Sequence, residues 1–341
     1  MGRAMTEDAG TVFEVRESGE IGPLGNRRFS VIVPFVSAIE DWTSLLTRFE
    51  PLQPRMRELI FVLDGFRQDP PVDAPSHLVV TSTSARVGPA GARNLGAENA
   101  TGDILAFTDD DCVPDPDWLD AIAAVFVESV DTVVGGVRIS PAGWLGDAIS
   151  MLGFPAGGNL GFSNVWTVRP DNTTDHLSAC NIAIRRAVFW RVGGFDSSFP
   201  FPGGEDNELA FRLRRQGSVI VFSPASFVTH PARHRYPQFV AWQFRRGRGQ
   251  YYLVRKVGSA RLFVLSRLRL ARRVLCATWR RPYFAVMPIL IGMMFLAQTC
   301  GYLFERLRIG RRPTARTALD EPQSQAASDC SAEADPGPRT Q

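Results

Sequence analysis

Short apolar runs alternate with segments of helical spacing in the first part of this chain, and this alternation limits the fold more than any other sequence feature. Residues 42–49 and 86–100 have the spacing of helices, the second after a Gly/Ala-rich entry. Strands that alternate with helices predict an α/β fold, with a doubly wound, mostly parallel sheet flanked by helices. The predicted strands are residues 29–34, 58–63, 77–81 and 104–107.

Three consecutive carboxylates, Asp109, Asp110 and Asp111, follow the last of these apolar runs. Open α/β sheets bind ligands at the carboxyl ends of their strands. Adjacent carboxylates repel one another unless a cation lies between them, and Mg²⁺ or Mn²⁺ prefers such oxygen ligands and often holds phosphates. Acids after a strand are also ordinary loop residues, but the pattern indicates an enzyme that acts on a nucleotide diphosphate compound.

The middle of the chain continues the alternation of strands and helices. We expect strands at residues 132–139, 178–183 and 219–222, helices at 185–192 and 205–215, and a long mobile loop at 153–161. The predicted organisation is a flexible leader followed by the two halves of an α/β domain. These three parts are residues 1–28, 29–130 and 131–250.

The last ninety residues differ in composition from the rest. Residues 283–304 contain no charged side chain and are long enough for a single transmembrane helix, although a buried helix hairpin is the alternative. The arginine-rich stretch 251–282 is predicted to lie on an anionic membrane surface, and 305–341 to be a disordered tail. This part of the chain therefore predicts membrane association.

Cysteine usage and the start of the chain bear on location. Five scattered cysteines without C-x-x-C spacing argue against a disulfide framework and a structural zinc site. Residues 1–28 contain no apolar signal segment, so we expect the catalytic domain in the cytoplasm. The span 209–304 has basic but no acidic residues, which allows a nucleic-acid-binding protein as an alternative. The uncharged segment within that span argues against it, and no nucleic acid partner is expected.

Seven stretches resemble family 2 glycosyltransferases with the GT-A fold, and they occur in that family's order. They cover roughly residues 29–232 and include the carboxylate triplet, which corresponds to the family's D-x-D pattern. The resemblance implies a metal-dependent, inverting transfer of a sugar from a nucleotide diphosphate sugar to a hydroxyl group. The matching stretches are residues 30–34, 61–65, 88–96, 102–111, 180–186, 192–196 and 203–209.

The resemblance implies donor-binding roles for Pro34, Asp64, Arg93 and Asp110. A carboxylate after a strand can accept hydrogen bonds from a base or ribose, and an arginine at the head of a helix can bind a phosphate or a carboxylate. Asp64 before a glycine is also a common turn residue, and Arg93 could form an ordinary salt bridge.

The same resemblance assigns a divalent metal, Mn²⁺ or Mg²⁺, to Asp109 and Asp111, with His230 as a possible third ligand. In an extended chain, alternation would put Asp109 and Asp111 on one side and Asp110 on the other. Histidine is a frequent metal ligand but has many structural roles, so the sequence leaves the role of His230 open.

Glu205 and Asp206 begin the amphipathic segment 205–215, where carboxylates also interact favourably with a helix dipole. Glu205 and Asp206 are the catalytic candidates, and the resemblance favours Asp206 over Glu205 as the general base that deprotonates the acceptor. Processive relatives carry a Q-x-x-R-W pattern after this helix, and residues 242–249 lack it. We therefore expect a non-processive enzyme. The predicted membrane segment favours a lipid-linked or cell-envelope glycan as its acceptor. The resemblance also implies that residues 29–130 are the nucleotide-sugar-binding half and residues 131–250 the acceptor-binding, catalytic half.

A sugar-phosphate nucleotidyltransferase is the alternative enzyme class, because it also combines an α/β sheet with metal-bound carboxylates. Such enzymes typically have a Gly-rich loop with a lysine near the first strand. Residues 34–37 contain neither residue type, which argues against this class.

Overall fold

The computed structural model describes residues 29–233, 235–258 and 260–310. In these ranges the chain forms an eight-stranded sheet with flanking helices, and the predicted α/β fold is confirmed. The strands are β1 Phe29–Phe35, β2 Met56–Leu63, β3 Leu78–Ser82, β4 Ile104–Phe107, β5 Val113–Pro114, β6 Thr132–Ile139, β7 Ile182–Arg185 and β8 Ile220–His230. The helices are α1 Trp42–Thr47, α2 Gly88–Glu98, α3 Trp118–Ala123, α4 Gly143–Ser150, α5 Phe162–Val165, α6 Arg186–Arg191, α7 Glu205–Arg215, α8 Tyr236–Val257, α9 Ala260–Thr278 and α10 Met287–Gly310.

The sheet is mixed, with strand order β3-β2-β1-β4-β7-β6-β8-β5. Strands β3, β2, β1 and β4 are parallel to one another, as expected for a doubly wound half. Strand β7 is antiparallel to both β4 and β6, and β6 and β8 are again parallel. The carboxyl ends of β1, β2 and β4 therefore meet at one edge of the sheet, where a ligand site is expected.

Buried residues on both faces explain why the central strands read as continuous apolar runs. Every residue of β1 and β4 is buried. Phe107, at the end of β4, packs against Phe189 and Phe195, with ring centroids 5.6 and 5.4 Å away. This aromatic cluster supports the strand from which the carboxylate triplet emerges.

Asn181, which lies within one of the matching stretches, joins strands β6 and β8 to helix α3. Its side chain is fully buried, and its amide donates to the carbonyl oxygens of Gly136 and Ser226 at 2.8 and 3.2 Å. Its carbonyl oxygen accepts a hydrogen bond of 2.8 Å from the indole of Trp118. A buried amide with partners for both groups stabilises the sheet here without any ligand.

Three local predictions in the second half were wrong. The strand expected at 178–183 begins only at Ile182, and residues 178–181 instead form a turn. The strand expected at 219–222 continues to His230, because β8 keeps its pairing with β6 across a bulge at Gly135 and Gly136. The loop predicted at 153–161 contains a 3-10 helix, Gly158–Leu160, and Asn159 ties it to the backbone of Ile139.

The C-terminal helices pack against the body of the protein. Helices α9 and α10 share a second apolar core with α4 and α8. Gly301 of α10 lies so close to α8 that an added Cβ would sit 2.1 Å from the carbonyl oxygen of Phe244. The buried carboxylate of Glu305 accepts hydrogen bonds from Arg248 and Tyr252 of α8, at 2.7 and 2.9 Å. Helix α10 is therefore anchored to α8 along its length.

Among the described residues, one helical segment, Phe284–Ile309, is long and apolar enough to cross a membrane, judged by length and composition alone. It includes the predicted span 283–304 almost completely. The predicted leader 1–28 and residues 311–341 of the predicted tail lie outside the described residues. The prediction of disorder was wrong for residues 305–310, because they continue helix α10, where Glu305 is buried against α8.

Candidate active site

A cavity of about 350 Å³ opens at the carboxyl ends of β1, β2 and β4, between the sheet, the loop before α7 and helix α8. The structure brings every residue that the sequence singled out to the wall of this cavity. These residues are Pro34, Asp64, Arg93, Asp109, Asp110, Asp111, Glu205, Asp206 and His230. Side chains from both halves of the chain thus face one space.

The carboxylate triplet leaves β4 as a turn, because the backbone N–H of Cys112 donates to the carbonyl oxygen of Asp109 at 3.0 Å. The expectation of an extended, alternating triplet was therefore wrong. Asp109 and Asp111 are nevertheless close together, since one oxygen of each and the Cys112 sulfur lie within 4.8 Å of one another. Burial and the neighbouring charges of Asp111 and Asp109 raise the pKa of Asp110 to about 6.

His230 reaches the triplet because β8 continues to this residue beside β5. Its Nε2 lies 3.3 Å from Oδ2 of Asp111, and its Nδ1 lies 2.7 Å from the carbonyl oxygen of Pro231. A carbonyl oxygen only accepts, so this contact places a ring proton on Nδ1. In the neutral ring, Nε2 then presents a lone pair towards the carboxylate of Asp111.

The donor set fits a hard divalent cation. Two carboxylates and one imidazole are oxygen and nitrogen ligands, which suit Mn²⁺ and also Mg²⁺. The adjacent Cys112 is a poor candidate, because its contact with Cys180 and its burial raise the pKa of its thiol well above the usual value. The residues that could hold a metal here are therefore Asp109, Asp111 and His230.

Arg93 connects the triplet to the start of α7. This arginine is 4% exposed, and its Nη2 donates to Oδ1 of Asp109 at 2.6 Å. Its Nη1 lies 3.4 Å from Oε1 of Glu205, so one guanidinium joins carboxylates from both halves. The attraction of both carboxylates outweighs burial and raises the pKa of Arg93, which keeps it charged. The salt bridge that was the alternative to a donor-binding role of Arg93 is thus present, but it is buried within the site.

The loop before α7 aims two carboxylates at the cavity. Gly203 and Gly204 have φ values of +129° and +112°, which L side chains rarely adopt, and Glu205 accepts from the N–H of Gly203 at 2.7 Å. Asn207 holds Oδ1 of Asp206 through its backbone and side-chain N–H groups, at 2.8 and 3.0 Å. Oδ2 of Asp206 has no hydrogen-bond donor within the described part of the chain, which leaves it available for a ligand.

The environment of Asp206 makes it a better base than an ordinary aspartate. Burial and the charge of Glu205 raise its pKa, while Arg246 and Arg93 lower it, and the result is a pKa of about 6. A carboxylate with this pKa is ionised at neutral pH and binds a proton more strongly than an exposed one.

Asp64 lies at the end of β2 with its carboxylate engaged by the protein. Oδ1 accepts from the hydroxyl of Thr83 at 3.0 Å and from the N–H of Val87 at 2.7 Å, and Oδ2 accepts from the N–H of Gly88 at 3.0 Å. It therefore holds the entry to α2 in place. Pro34 ends the neighbouring strand and also lines the cavity.

Sequence reasoning assigned no role to three arginines of this cavity, Arg233, Arg245 and Arg246. The guanidinium carbons of Arg233 and Arg246 lie 4.5 and 5.4 Å from the ring centroid of Trp242. The buried Nε atoms of both arginines have no hydrogen-bond partner in the described ranges. Two cations beside the triplet provide charge for an anionic ligand. Arg233 follows His230 by three residues, and this proximity was the available sequence signal.

Two family models match the chain, and together they cover the residues of the site. The model described as "Glycosyl transferase family 2" matches residues 30–193. A second, "N-terminal domain of galactosyltransferase", matches residues 162–235, which include Glu205, Asp206 and His230. Residues 30–193, just under half of the chain, thus match family 2 glycosyltransferases, and the chain is a glycosyltransferase.

Two curated relatives of this chain are also glycosyltransferases. Glycosyltransferase AglE of Haloferax volcanii is 26% identical over 297 residues, which cover 82% of this chain and 84% of that protein. The pre-mycofactocin glycosyltransferase of Mycobacterium tuberculosis is 26% identical over 224 residues, or 64% of this chain and 46% of that protein. The glycosyltransferase thus spans less than half of the mycobacterial relative.

A solved structure supports the GT-A fold. The mannosyltransferase PcManGT from Pyrobaculum calidifontis, in complex with GDP-Man and Mn²⁺, superposes with a TM-score of 0.53. The alignment covers 83% of this chain and 88% of that one, at 17% sequence identity. At this identity the similarity shows the fold alone.

Proposed function

We propose that the glycosyltransferase transfers a sugar from a nucleotide diphosphate sugar to a hydroxyl acceptor, with metal assistance and inversion at the anomeric carbon. The observation that carries this proposal is the link made by Arg93, which joins Asp109 of the carboxylate triplet to Glu205 beside Asp206. The proposed metal ligands, Asp109 and Asp111, and the proposed base, Asp206, therefore line the same cavity.

The donor diphosphate is proposed to lie between the triplet and the two arginines. Arg233 and Arg246 supply positive charge on one side, and Asp109, Asp111 and His230 would hold the cation on the other. When bound, a divalent metal offsets the negative charge that develops on the departing diphosphate. The PcManGT complex contains a nucleotide sugar and Mn²⁺, which favours Mn²⁺ as the first metal to test.

The carboxylate of Asp206 is proposed to receive the acceptor's proton. The hydroxyl O–H bond breaks, and the oxygen forms a bond to the anomeric carbon. The bond from that carbon to the diphosphate oxygen breaks, and its electron pair leaves with the nucleoside diphosphate. Attack on the face opposite the leaving group in one displacement inverts the anomeric configuration, so NMR of the first product should show the opposite anomer. A retained anomer would exclude this single displacement.

Donor binding can be tested without knowledge of the acceptor. We expect one of a panel of nucleotide sugars to raise the unfolding midpoint of the full chain when Mn²⁺ is present, because a ligand that binds only the folded state stabilises it. The same donor should have little effect with excess chelator. No stabilisation by any nucleotide diphosphate sugar, with Mn²⁺ or Mg²⁺, would contradict the proposal.

Membrane attachment of the cytoplasmic enzyme is proposed to occur through α9 and α10. The outer face of α10 exposes large apolar residues at intervals of one or two turns: Ile289, Leu296, Leu303, Phe304 and Leu307. Helix α9 adds exposed Leu268 and several arginines, which suit an anionic lipid surface. An amphipathic pair of this kind binds a bilayer by burying its apolar face.

Two observations favour α10 lying along the bilayer over crossing it. Helix α8 is in contact with α10 and carries Arg245, Arg246 and Arg248, which a joint crossing would bring into hydrocarbon at about 2.5–3.5 kcal/mol each. A crossing by α10 alone would separate buried Glu305 from Arg248.

A reporter enzyme fused after Gln341 separates the two arrangements in a bacterial host. A reporter active only outside the cytoplasm should be silent if α10 lies along the bilayer and active if α10 crosses it.

A further inference from the structure

A second cavity, of about 330 Å³, lies next to the active-site cavity, between the catalytic half and helices α8, α9 and α10. The two cavities share the side chains of Phe154, Trp166, Asn207 and Arg246. Asn207 also donates two hydrogen bonds to Asp206. A molecule in the second cavity is therefore adjacent to the carboxylate proposed as the base.

One part of the second cavity is apolar. It is formed mainly by side chains of the C-terminal helices, which the motifs of the first half do not involve. These side chains are Leu253, Val254, Leu270, Met294 and Phe295. An alkyl chain would be removed from water there, and each buried methylene group contributes about 0.8 kcal/mol.

The other part of the cavity has an excess of positive charge. Asp175 is the one acidic residue among its lining residues, and its carboxylate already contacts Arg169 and Arg214 at 3.0 and 2.9 Å. The lining arginines are Arg214, Arg246, Arg267, Arg269 and Arg273. This charge distribution suits a ligand with an anionic group.

Burial lowers the pKa of two of these cations. The Nε of Arg246 has no hydrogen-bond partner within the described part of the chain, and burial lowers the pKa of its guanidinium despite the nearby Asp206 and Glu205. Burial, together with the charge of Arg246, lowers the pKa of Arg267 to about 10, while its Nη2 donates to the neutral amide of Gln298. An anion between these arginines would relieve both effects.

We propose that the second cavity binds the acceptor, and that the acceptor joins a phosphate group to an apolar chain. The chain lies against α8, α9 and α10, the phosphate lies beside Arg246 and Arg267, and the reacting hydroxyl extends towards Asp206. This inference rests on the proposed function and specifies its acceptor as an anionic amphiphile. The C-terminal helices then form part of the substrate site and also contact the bilayer.

The test uses farnesyl phosphate, with farnesol and inorganic phosphate as partial probes, in calorimetric titrations of the full chain in nonionic detergent. Farnesyl phosphate should bind at least tenfold more tightly than either partial probe, because it supplies both the chain and the anion. Binding no tighter than that of inorganic phosphate would overturn the role of the apolar wall. Binding no tighter than that of farnesol would overturn the role of the arginines.

Two variants locate the binding site. Gln250→Glu places a negative charge in the cavity wall with almost no change in shape, and Arg269→Gln removes a positive charge. Each should weaken farnesyl phosphate binding about threefold to tenfold at low ionic strength. The control Gln53→Glu makes the same change at an exposed position before β2, at the opposite end of that strand from the site. Equal affinity of Gln250→Glu and Gln53→Glu for the probe would place the amphiphile elsewhere.

Nucleotide binding on the same preparations separates this inference from the proposed function. Wild type and all three variants should bind the nucleoside diphosphate of the active donor, with Mn²⁺, with affinities within about twofold. If nucleotide binding is normal and farnesyl phosphate does not bind, the acceptor inference is wrong and the donor site stands. If no nucleoside diphosphate binds, the proposed function itself is contradicted, and the acceptor inference that rests on it falls with it.

Discussion

Nε2 of His230 and Oδ2 of Asp111 lie 3.3 Å apart, at the ends of elements from different halves of the chain. Nδ1 of the same ring faces the carbonyl oxygen of Pro231, so in the neutral tautomer two lone pairs point at each other. Such a contact is unfavourable unless a cation or a proton lies between the two atoms. With Asp109 nearby, this geometry favours a divalent metal.

The first prediction concerns that metal site. Asp111→Asn should raise the Mn²⁺ concentration for half-maximal activity at least about tenfold, since changes even to groups behind metal ligands typically cost 10–100-fold. The control Asp117→Asn makes the same change at an exposed residue whose side chain does not cap α3. Metal titrations of initial rate check this, and an unchanged half-maximal concentration in Asp111→Asn would remove Asp111 from the metal site.

The second prediction concerns pH. Asp206 must be deprotonated to act as a base, so kcat/KM should fall as pH decreases through about 6, the pKa that burial and Glu205 give it. Arg246 and Arg93 lower this pKa, so Arg246→Met should move the acidic limb to higher pH. If the acidic limb of the kcat/KM profile does not move in Arg246→Met, the titrating group is not Asp206.

The third prediction concerns the buried arginine. Arg93→Met should lower the free energy of unfolding by about 3–5 kcal/mol, because it leaves buried Glu205 without its cation. Arg55→Met removes an arginine from a more exposed pair with Asp120 and should cost at most about 1 kcal/mol. Urea unfolding measures both, and equal losses would mean that the Arg93 link contributes little beyond an exposed pair.

The fourth prediction concerns the packing of α10. Gly301→Ala should destabilise the protein by about 1–3 kcal/mol, because the new Cβ would overlap the Phe244 carbonyl oxygen on α8. Gly292→Ala adds the same methyl group to the same helix where no atom lies within 4 Å. It should be neutral or stabilise by up to about 1 kcal/mol through helix propensity. Equal unfolding midpoints for the two variants would show that α10 does not pack on α8.

Elements with a regular local pattern were predicted well from the sequence. The range 205–215 matches α7 because charged and apolar residues alternate with helical spacing. The range 132–139 matches β6, in which strand-forming residues flank two central glycines. The prediction for β8 stopped at residue 222 because Ser223, Pro224 and Ala225 interrupt the apolar pattern. Its continuation depends on pairing with β6, which is a tertiary effect.

The residues of the candidate site could likewise be predicted only where a local sequence pattern marks them. Residues within recognisable motifs, such as Asp109 and Asp206, could be assigned from the sequence. Arg246 joins the cavity only through the position of α8, which no local pattern reveals, whereas Arg233 could have been inferred from its position three residues after His230. The composition of α10 likewise indicated a membrane span, whereas the ion pair between Glu305 and Arg248 depends on packing between distant helices.

Release of nucleoside diphosphate from the matching nucleotide sugar, with Mn²⁺ and an amphiphilic phosphate-linked acceptor, tests the central claim most directly. Wild type should turn over, and Asp206→Asn should bind the donor normally but lose about 10²–10⁴-fold in kcat, as expected for loss of a general base. Asp111→Asn should lose activity that excess Mn²⁺ partly restores. Metal-independent turnover, or wild-type kcat in Asp206→Asn, would contradict the account.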